Sequence, residues 1–403
     1  MICFYVFYPQ VRRLVNPRTQ IEGKRMNRKG SCFRAALLAA FAFFACGTSW
    51  ADVRPVPLAK AGNVTIERDA SWVRLRVRNP VPGASGDNVY ILVPRDIPLP
   101  PDLPEGRVIR TPVRTYCNMS TTLIPFLEEM DGLRGLLGQC WRSFVYTAAL
   151  DERRTADLGP GNSPDPERIL SLAPEVVFAY ASTPDELETL RRLESLGLSV
   201  VLISEFSEIH PLGRVEWIRV FGLLFDRVGA ADALYETIRS SYESLAARAA
   251  ALPDKPGVLV NDSFNGVWHV PGGMSWPAIL IRDAGGEYLL DRSDRTWSAP
   301  VDFETVAAAS AHARFWLNPG AWRSLDDGVL QDSRYGTFRP FREGRVFNNN
   351  ARTTEAGGSD FHESGTLRPD LILADLISIL HPELLPGRRL YYYRKLDWKG
   401  GPR

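Results

Sequence analysis

Two stretches of this chain repeat one structural idea, with a long helical segment between them. The first runs from Pro166-Glu167-Arg168-Ile169-Leu170 to Ala173-Pro174-Glu175-Val176-Val177-Phe178-Ala179. The second runs from Asp302-Phe303-Glu304-Thr305-Val306 to Ala313-Arg314-Phe315-Trp316-Leu317. Each reads as a short helix opened by an acidic residue, a turn, and a buried strand. An apolar run of this length between turn signals fits a strand covered on both faces, and strands spaced by helices imply a parallel α/β sheet. Two copies on either side of a connector predict two α/β lobes with something bound between them.

The flanking pattern extends both copies. In the first lobe, Val113–Tyr116 reads as a strand. Ser120 can cap a helix carrying Leu123, Ile124, Leu127 and Met130, with Pro125 in its first turn. Strands at Leu136 and Asp157, helix 165–172, strand 175–180, helix 184–196 and strand 198–203 complete it, with Gly197 at a helix C-terminus. Residues 213–252 lack Pro, and their apolar positions (Trp217, Val220, Phe221, Leu224, Leu234, Ile238, Tyr242, Leu245) recur at helical spacing. That segment would reach about 60 Å at 1.5 Å per residue, with a break at 226–230. The second lobe takes strands at 256–260 and 266–270, helices at 275–284 and 302–309, strands at 314–317 and 346–347, and a final helix at 369–380. Residues 52–105 alternate as strands, separated by Pro and Gly clusters, and predict a small antiparallel β extension packed on the edge of the first lobe. The expected division is a leader at 1–51, the β extension at 52–105, a lobe at 106–210, a bridging helix at 211–252 and a second lobe at 253–403.

Composition sets the partners. The chain has 403 residues and a formal charge of +1, but residues 1–51 carry eight Lys/Arg and one acid. The remainder holds 40 basic and 46 acidic residues, a net of −6, which argues against nucleic acid or an anionic membrane as partner. The basic start reads as an export signal. Met26 to Arg34 is a charged region with Met26 as an alternative start, Ala35–Ala45 is an apolar stretch too short to span a bilayer, and Ser49-Trp50-Ala51 is a cleavage site. An uncleaved anchor is the other reading. Phe43-Phe44-Ala45-Cys46-Gly47 also resembles a lipobox, with Cys46 as the lipidated residue and Phe43 where Leu is usual. The expected location is therefore the periplasm or a lipid anchor at the cell envelope. Of five Cys, only Cys117 and Cys140 lie in the body. They read either as a disulfide or as two small buried hydrophobes.

Several runs together resemble the class III periplasmic solute-binding proteins of ABC importers. These are Pro166-Glu167-Arg168-Ile169-Leu170-Ser171-Leu172-Ala173-Pro174-Glu175-Val176-Val177 and Leu193–Val201. Gly213–Ile218, Trp268-His269-Val270-Pro271-Gly272-Gly273, Asp370–Leu376 with His381-Pro382-Glu383, and Tyr90–Asp96 resemble a subgroup with an N-terminal extension. The resemblance covers roughly residues 60–396. It implies two Rossmann-like lobes with parallel sheets, bridged by a long helix that limits closure. It further implies an iron chelate (ferric siderophore or haem) or a corrinoid in the cleft, a permease and ATPase as partners, a monomer, and no cofactor of its own. Glu167 and Glu304 stand where the family places the acids that dock onto permease arginines. Both also suit helix N-termini electrostatically.

Ligands of parallel α/β sheets sit beyond the C-terminal strand ends. Those loops offer Tyr116, Asn118, Ser120, Trp141, Arg142, Asn162, Ser163 and Tyr180 from the first lobe. The second offers Asn265, Trp268, His269, Trp297, Trp316 and the turn around Asn349. Aromatic walls suit a bulky organic complex, and Arg142 or Arg295 suits an anionic one. The five His are poorly placed for a bare-metal site. Asp360-Phe361-His362-Glu363 is the one compact ligand cluster and reads as a solvated loop. No nucleophile elbow, phosphate loop or HExxH supports catalysis. A secreted enzyme or an adhesin on the same scaffold is the remaining alternative.

Overall fold

The computed structural model describes residues 53–399. The leader, Met26 and Cys46 lie outside the described residues. Both copies of the repeated element form as expected. Asp165 caps helix Pro166–Leu172 by accepting the Arg168 N–H at 2.9 Å, and Asp302 caps Phe303–Ser310 by accepting from Thr305 at 2.6 Å. Each helix leads into a central strand, Val176–Ala179 or Ala313–Leu317.

In the first lobe five parallel strands lie in the order Val200–Leu202, Val176–Ala179, Tyr116–Asn118, Leu136–Gln139, Ala156–Asp157. The second lobe orders Glu287–Tyr288, Gly257–Val260, Ala313–Leu317 and Val346–Asn348 in parallel, then adds Arg394–Lys395 antiparallel at the edge. A separate three-stranded sheet, Ser263–Phe264, Val267–Val270 and Ala299–Val301, leads directly into the capped helix of that lobe. Nearly all buried apolar side chains form one continuous cluster, with Trp217, Trp268 and Trp316 wholly inside.

The connector is not a single rod. It comprises Pro211–Glu216, Ile218–Leu224 and Val228–Ala250. Asp226 adopts a left-handed φ of 56°, a conformation that Asx residues tolerate but a continuing helix forbids. The long piece has 23 residues, about 34 Å at 1.5 Å per residue, so the reach of about 60 Å is corrected.

The N-terminal sheet differs from a purely antiparallel one. Its fifth strand, Arg107–Thr111, runs parallel to Asp87–Pro94. It meets the exposed edge of the first lobe through side chains: the Leu202 N–H donates to Tyr90 Oη at 2.8 Å, and Arg107 Nη1 donates to the Val200 carbonyl at 2.5 Å. An edge covered this way is closed to further strand addition. The extension is also fastened to the connector. Glu216 accepts N–H donors from Ala59, Lys60 and Ala61 at 2.7–2.8 Å, and Glu208 accepts from Gly62 and Asn63 at 2.8 and 3.0 Å. Gly213 lets the Lys60 carbonyl approach where a Cβ would collide.

Candidate functional site

The lobes meet along the segment Ser359–Arg368 of the second lobe. The Glu363 carboxylate accepts the Tyr146 and Thr147 N–H groups of the first lobe at 2.7 and 2.9 Å. Asp360 holds Arg352 at 2.5 Å, and the Arg352 guanidinium lies over the rings of Tyr146 and Tyr391 at 4.9 and 4.2 Å. Gly358 abuts the Phe144 carbonyl with no room for a Cβ. Charge, aromatic face and backbone packing thus form one latch across the lobes.

Beside this latch lies a narrow pocket between the connector and the second lobe. It is lined by Pro211, Arg214, Trp276, Phe361, His362 and Thr366, among others. Arg214 is placed by the short helix Pro211–Glu216, which starts with proline and is capped by His210 Nδ1 accepting the Leu212 N–H at 3.0 Å. Its guanidinium sits 4.4 Å over the Trp276 ring and donates through Nη2 to the Phe206 carbonyl at 2.5 Å. Its Nε is buried and has no hydrogen-bond partner. Desolvation pushes Arg214 down to about 10, still fully charged at neutral pH. Glu205 lies near it, one oxygen accepting from Thr122 Oγ1 at 2.5 Å and the other unpartnered. Burial raises that carboxyl above its ordinary range. Desolvation, then the charge of Arg214, lowers the His362 imidazole from its ordinary value. His362 still reaches solvent through the pocket mouth, which moderates the shift. The pocket therefore offers one cation, a neutral imidazole and an aromatic wall.

The residues expected from strand ends fare unequally. Tyr116 is a core residue, its hydroxyl donating to the Gly132 carbonyl at 2.8 Å and its ring packed on Phe178 and Phe225. Asn118 is wholly buried and donates to Ser120 O and Gln139 Oε1 at 2.7 and 2.8 Å. Trp268 is stacked in the core on Trp316, each indole N–H donating to a backbone carbonyl. These three are removed from the ligand set because their side chains point into a lobe. Arg142 donates to the carbonyls of Glu152 and Thr155, and Arg295 is paired with Asp291. Both are already committed. Trp141 is half-buried and edge-on to Phe144, which reaches the latch. Tyr180 is buried edge-on to Phe206, whose carbonyl binds Arg214. Asn162 is exposed, Trp297 is 48% exposed, and His269 and Asn349 are half-buried. Their placement does not join them to the pocket.

The sequence reading overlooked Arg214, Trp276 and the role of Asp360–Glu363. That run is not a solvated loop: Asp360, Phe361 and Glu363 are buried at the lobe interface. The signal was present, since the cluster is compact and Arg214 lies inside a recognised run. Nothing local indicated that tertiary packing brings the two together. Cys117 and Cys140 are buried free thiols, not a disulfide. They sit one strand across and two residues along from each other, a Cα separation of roughly 8 Å, beyond disulfide reach. Desolvation pushes the Cys117 thiol up to about 12. Glu167 and Glu304 occupy the same position, the second residue of corresponding helices, and both are exposed.

Comparison with known proteins places this architecture. The sequence model described as "Periplasmic binding protein" matches residues 144–353, just over half of the chain. Two uncharacterized lipoproteins of Methanocaldococcus jannaschii are 25% identical over 326 residues (76% of either chain) and 23% identical over 329 residues (77% of this chain, 80% of the relative). Among solved structures, a periplasmic binding protein from Veillonella parvula aligns with a TM-score of 0.54 at 12% identity, over 78% of this chain and 99% of its own. A periplasmic heme binding protein from Pseudomonas aeruginosa gives 0.52 at 18% identity, over 67% and 93%. An ABC transporter substrate-binding protein from Listeria monocytogenes gives 0.51 at 17% identity, over 67% and 99%. At these identities the structures speak for the fold, and the family match adds the lineage. The chain belongs to the periplasmic binding protein family, in the class III form that its doubled lobes and helical connector resemble.

Proposed function

We propose that this protein is the exported, envelope-located binding component of an ABC importer, carrying an iron chelate (a ferric siderophore or haem) in the interlobe cleft. Substrate binding for an ABC importer follows from the family. The chelate is the finer reading. One observation carries it: two parallel α/β lobes are joined by a helical connector, the arrangement by which the family holds a ligand between its lobes. The protein binds and releases its ligand without chemical change. A haem-binding protein and a nickel-bound protein stand among the fold neighbours, and curated lipoproteins stand among the sequence relatives. Both fit the reading in kind.

The test is native mass spectrometry of protein purified from its own cell envelope, followed by tryptophan-fluorescence titration with ferric siderophores, haem and cobalamins. Saturable binding of an iron chelate is expected. Preferential binding of a cobalamin moves the assignment to a corrinoid carrier. Binding of none, together with turnover of a test substrate, replaces the carrier by an enzyme.

A further inference from the structure

We infer that the hairpin Arg352–Asp360, together with Glu363, is a strap that gates the cleft: it joins the lobes at a point separate from the connector, and its release sets how fast a ligand enters and leaves. The strap stands on geometry alone, and the gating rests on the carrier reading above. The hairpin is a body of its own. The Asp360 N–H donates to the Arg352 carbonyl at 3.1 Å and the Thr354 N–H to the Gly358 carbonyl at 2.9 Å, with Thr353 and Ser359 bridged between them. Thr354 Oγ1 accepts the Gly358 N–H at 2.9 Å, and Asp360 accepts from Arg352 Nε at 2.5 Å. Gly357 turns the tip with a φ of 95° that a side chain would oppose. The root belongs to the second lobe. The Ala351 N–H donates to the Tyr392 carbonyl at 3.1 Å, and Phe361 is buried against Trp276, Tyr392 and Tyr393.

The grip on the first lobe is of another kind. It consists of the Tyr146 and Thr147 amides on the Glu363 carboxylate, the Arg352 guanidinium over the Tyr146 ring, and the backbone contact of Gly358 with Phe144. Water replaces polar contacts of this type at small net cost. Parting Phe361 from its aromatic neighbours would instead expose apolar surface. The strap therefore lets go of the first lobe and stays with the second. Its position gives that release a consequence. The gripped loop follows the strand Leu136–Gln139 and the hairpin follows Val346–Asn348, each the fourth strand in the order of its sheet. Both lie beyond C-terminal strand ends, where ligands of parallel α/β sheets sit, so the strap spans the cleft itself. The helix Ser364–Leu367 behind it packs on Ile124–Glu129 of the first lobe and on Pro211–Glu216 of the connector. That packing supplies a pivot when the strap lifts.

The experiment compares the full-length protein with its Glu363→Ala and Glu363→Gln variants. Amide hydrogen exchange is followed first without ligand. Stopped-flow binding follows, with haem, a ferric trihydroxamate and a cobalamin as probes. The Tyr146 and Thr147 amides should exchange slowly in the wild type and about tenfold faster or more in Glu363→Ala, with Glu363→Gln between and the connector helix Val228–Ala250 changing less than about twofold. For each probe that binds, association and dissociation should both quicken by about threefold or more while Kd stays within about twofold, as for a gate that opens with or without cargo. Unchanged exchange at Tyr146 and Thr147, or an equal rise in the connector, overturns the strap. Freed amides with unchanged binding rates, or weaker affinity without faster association, overturn the gate and leave the carrier reading intact. Should the Ala variant fail to fold, the Gln variant decides by the same outcomes. Binding of none of the probes overturns the carrier reading and the gate with it, while exchange at Tyr146 and Thr147 still decides the strap.

Discussion

Glu363 shows how much one side chain is asked to do. Its carboxylate sits at the lobe interface, 3% exposed, and burial pushes it up to about 7 from 4.5 despite the two amides it accepts. A carboxyl raised in the folded state contributes its full stability below its unfolded value, and that contribution is lost as pH rises through the folded one. The wild type should therefore lose stability between about pH 4.5 and 7 more steeply than Glu363→Gln. Urea denaturation at several pH values measures this, and identical slopes would refute it. At Gly358 steric contact replaces charge. A methyl group there collides with the Phe144 carbonyl, so Gly358→Ala should push the lobes apart. Small-angle scattering should show a larger radius of gyration, and an unchanged radius would show that the latch gives way locally instead.

Elements follow from sequence where their causes are local. The helices at 166–172, 184–195 and 369–380 announce themselves through N-terminal proline and apolar spacing, the first two also through an aspartate and a threonine cap. The central strands announce themselves as apolar runs. The strands Arg107–Thr111, Glu287–Tyr288 and Arg394–Lys395 escaped, because pairing with distant partners defines them more than their own composition does. The site was less legible for a related reason. A residue near a strand end can point into the lobe or out of it, and Tyr116, Asn118 and Trp268 point in. Arg214 and His362 lie 148 positions apart and meet only in three dimensions. The connector break belongs to this scale. Asp226 holds a left-handed φ that a β-branched residue resists. Asp226→Val should cost about 1–2 kcal/mol, and Asp226→Gly should be neutral or mildly stabilising. Chemical denaturation of the two variants compares them, and equal stability would mean that the connector can straighten at no cost.

On the scale of the whole molecule, the two exposed acids at matching helix positions define a pseudo-symmetric pair, which we propose as the permease contact. Reversing both, with Glu167→Arg and Glu304→Arg, should abolish uptake in cells while leaving ligand affinity within about twofold, since rim charges act on docking. Affinity falling in step with uptake would return them to the ligand site. The fastening of residues 59–63 onto Glu208 and Glu216 bears on something else: what counts as the smallest self-sufficient unit of this protein. A chain trimmed to begin after Thr111 would keep both lobes. It would also strip five amide donors from two carboxylates at the root of the connector, and it would bare the Val200–Leu202 edge. The N-terminal sheet is thus no detachable ornament on a two-lobed carrier. It should melt together with the first lobe in one cooperative step.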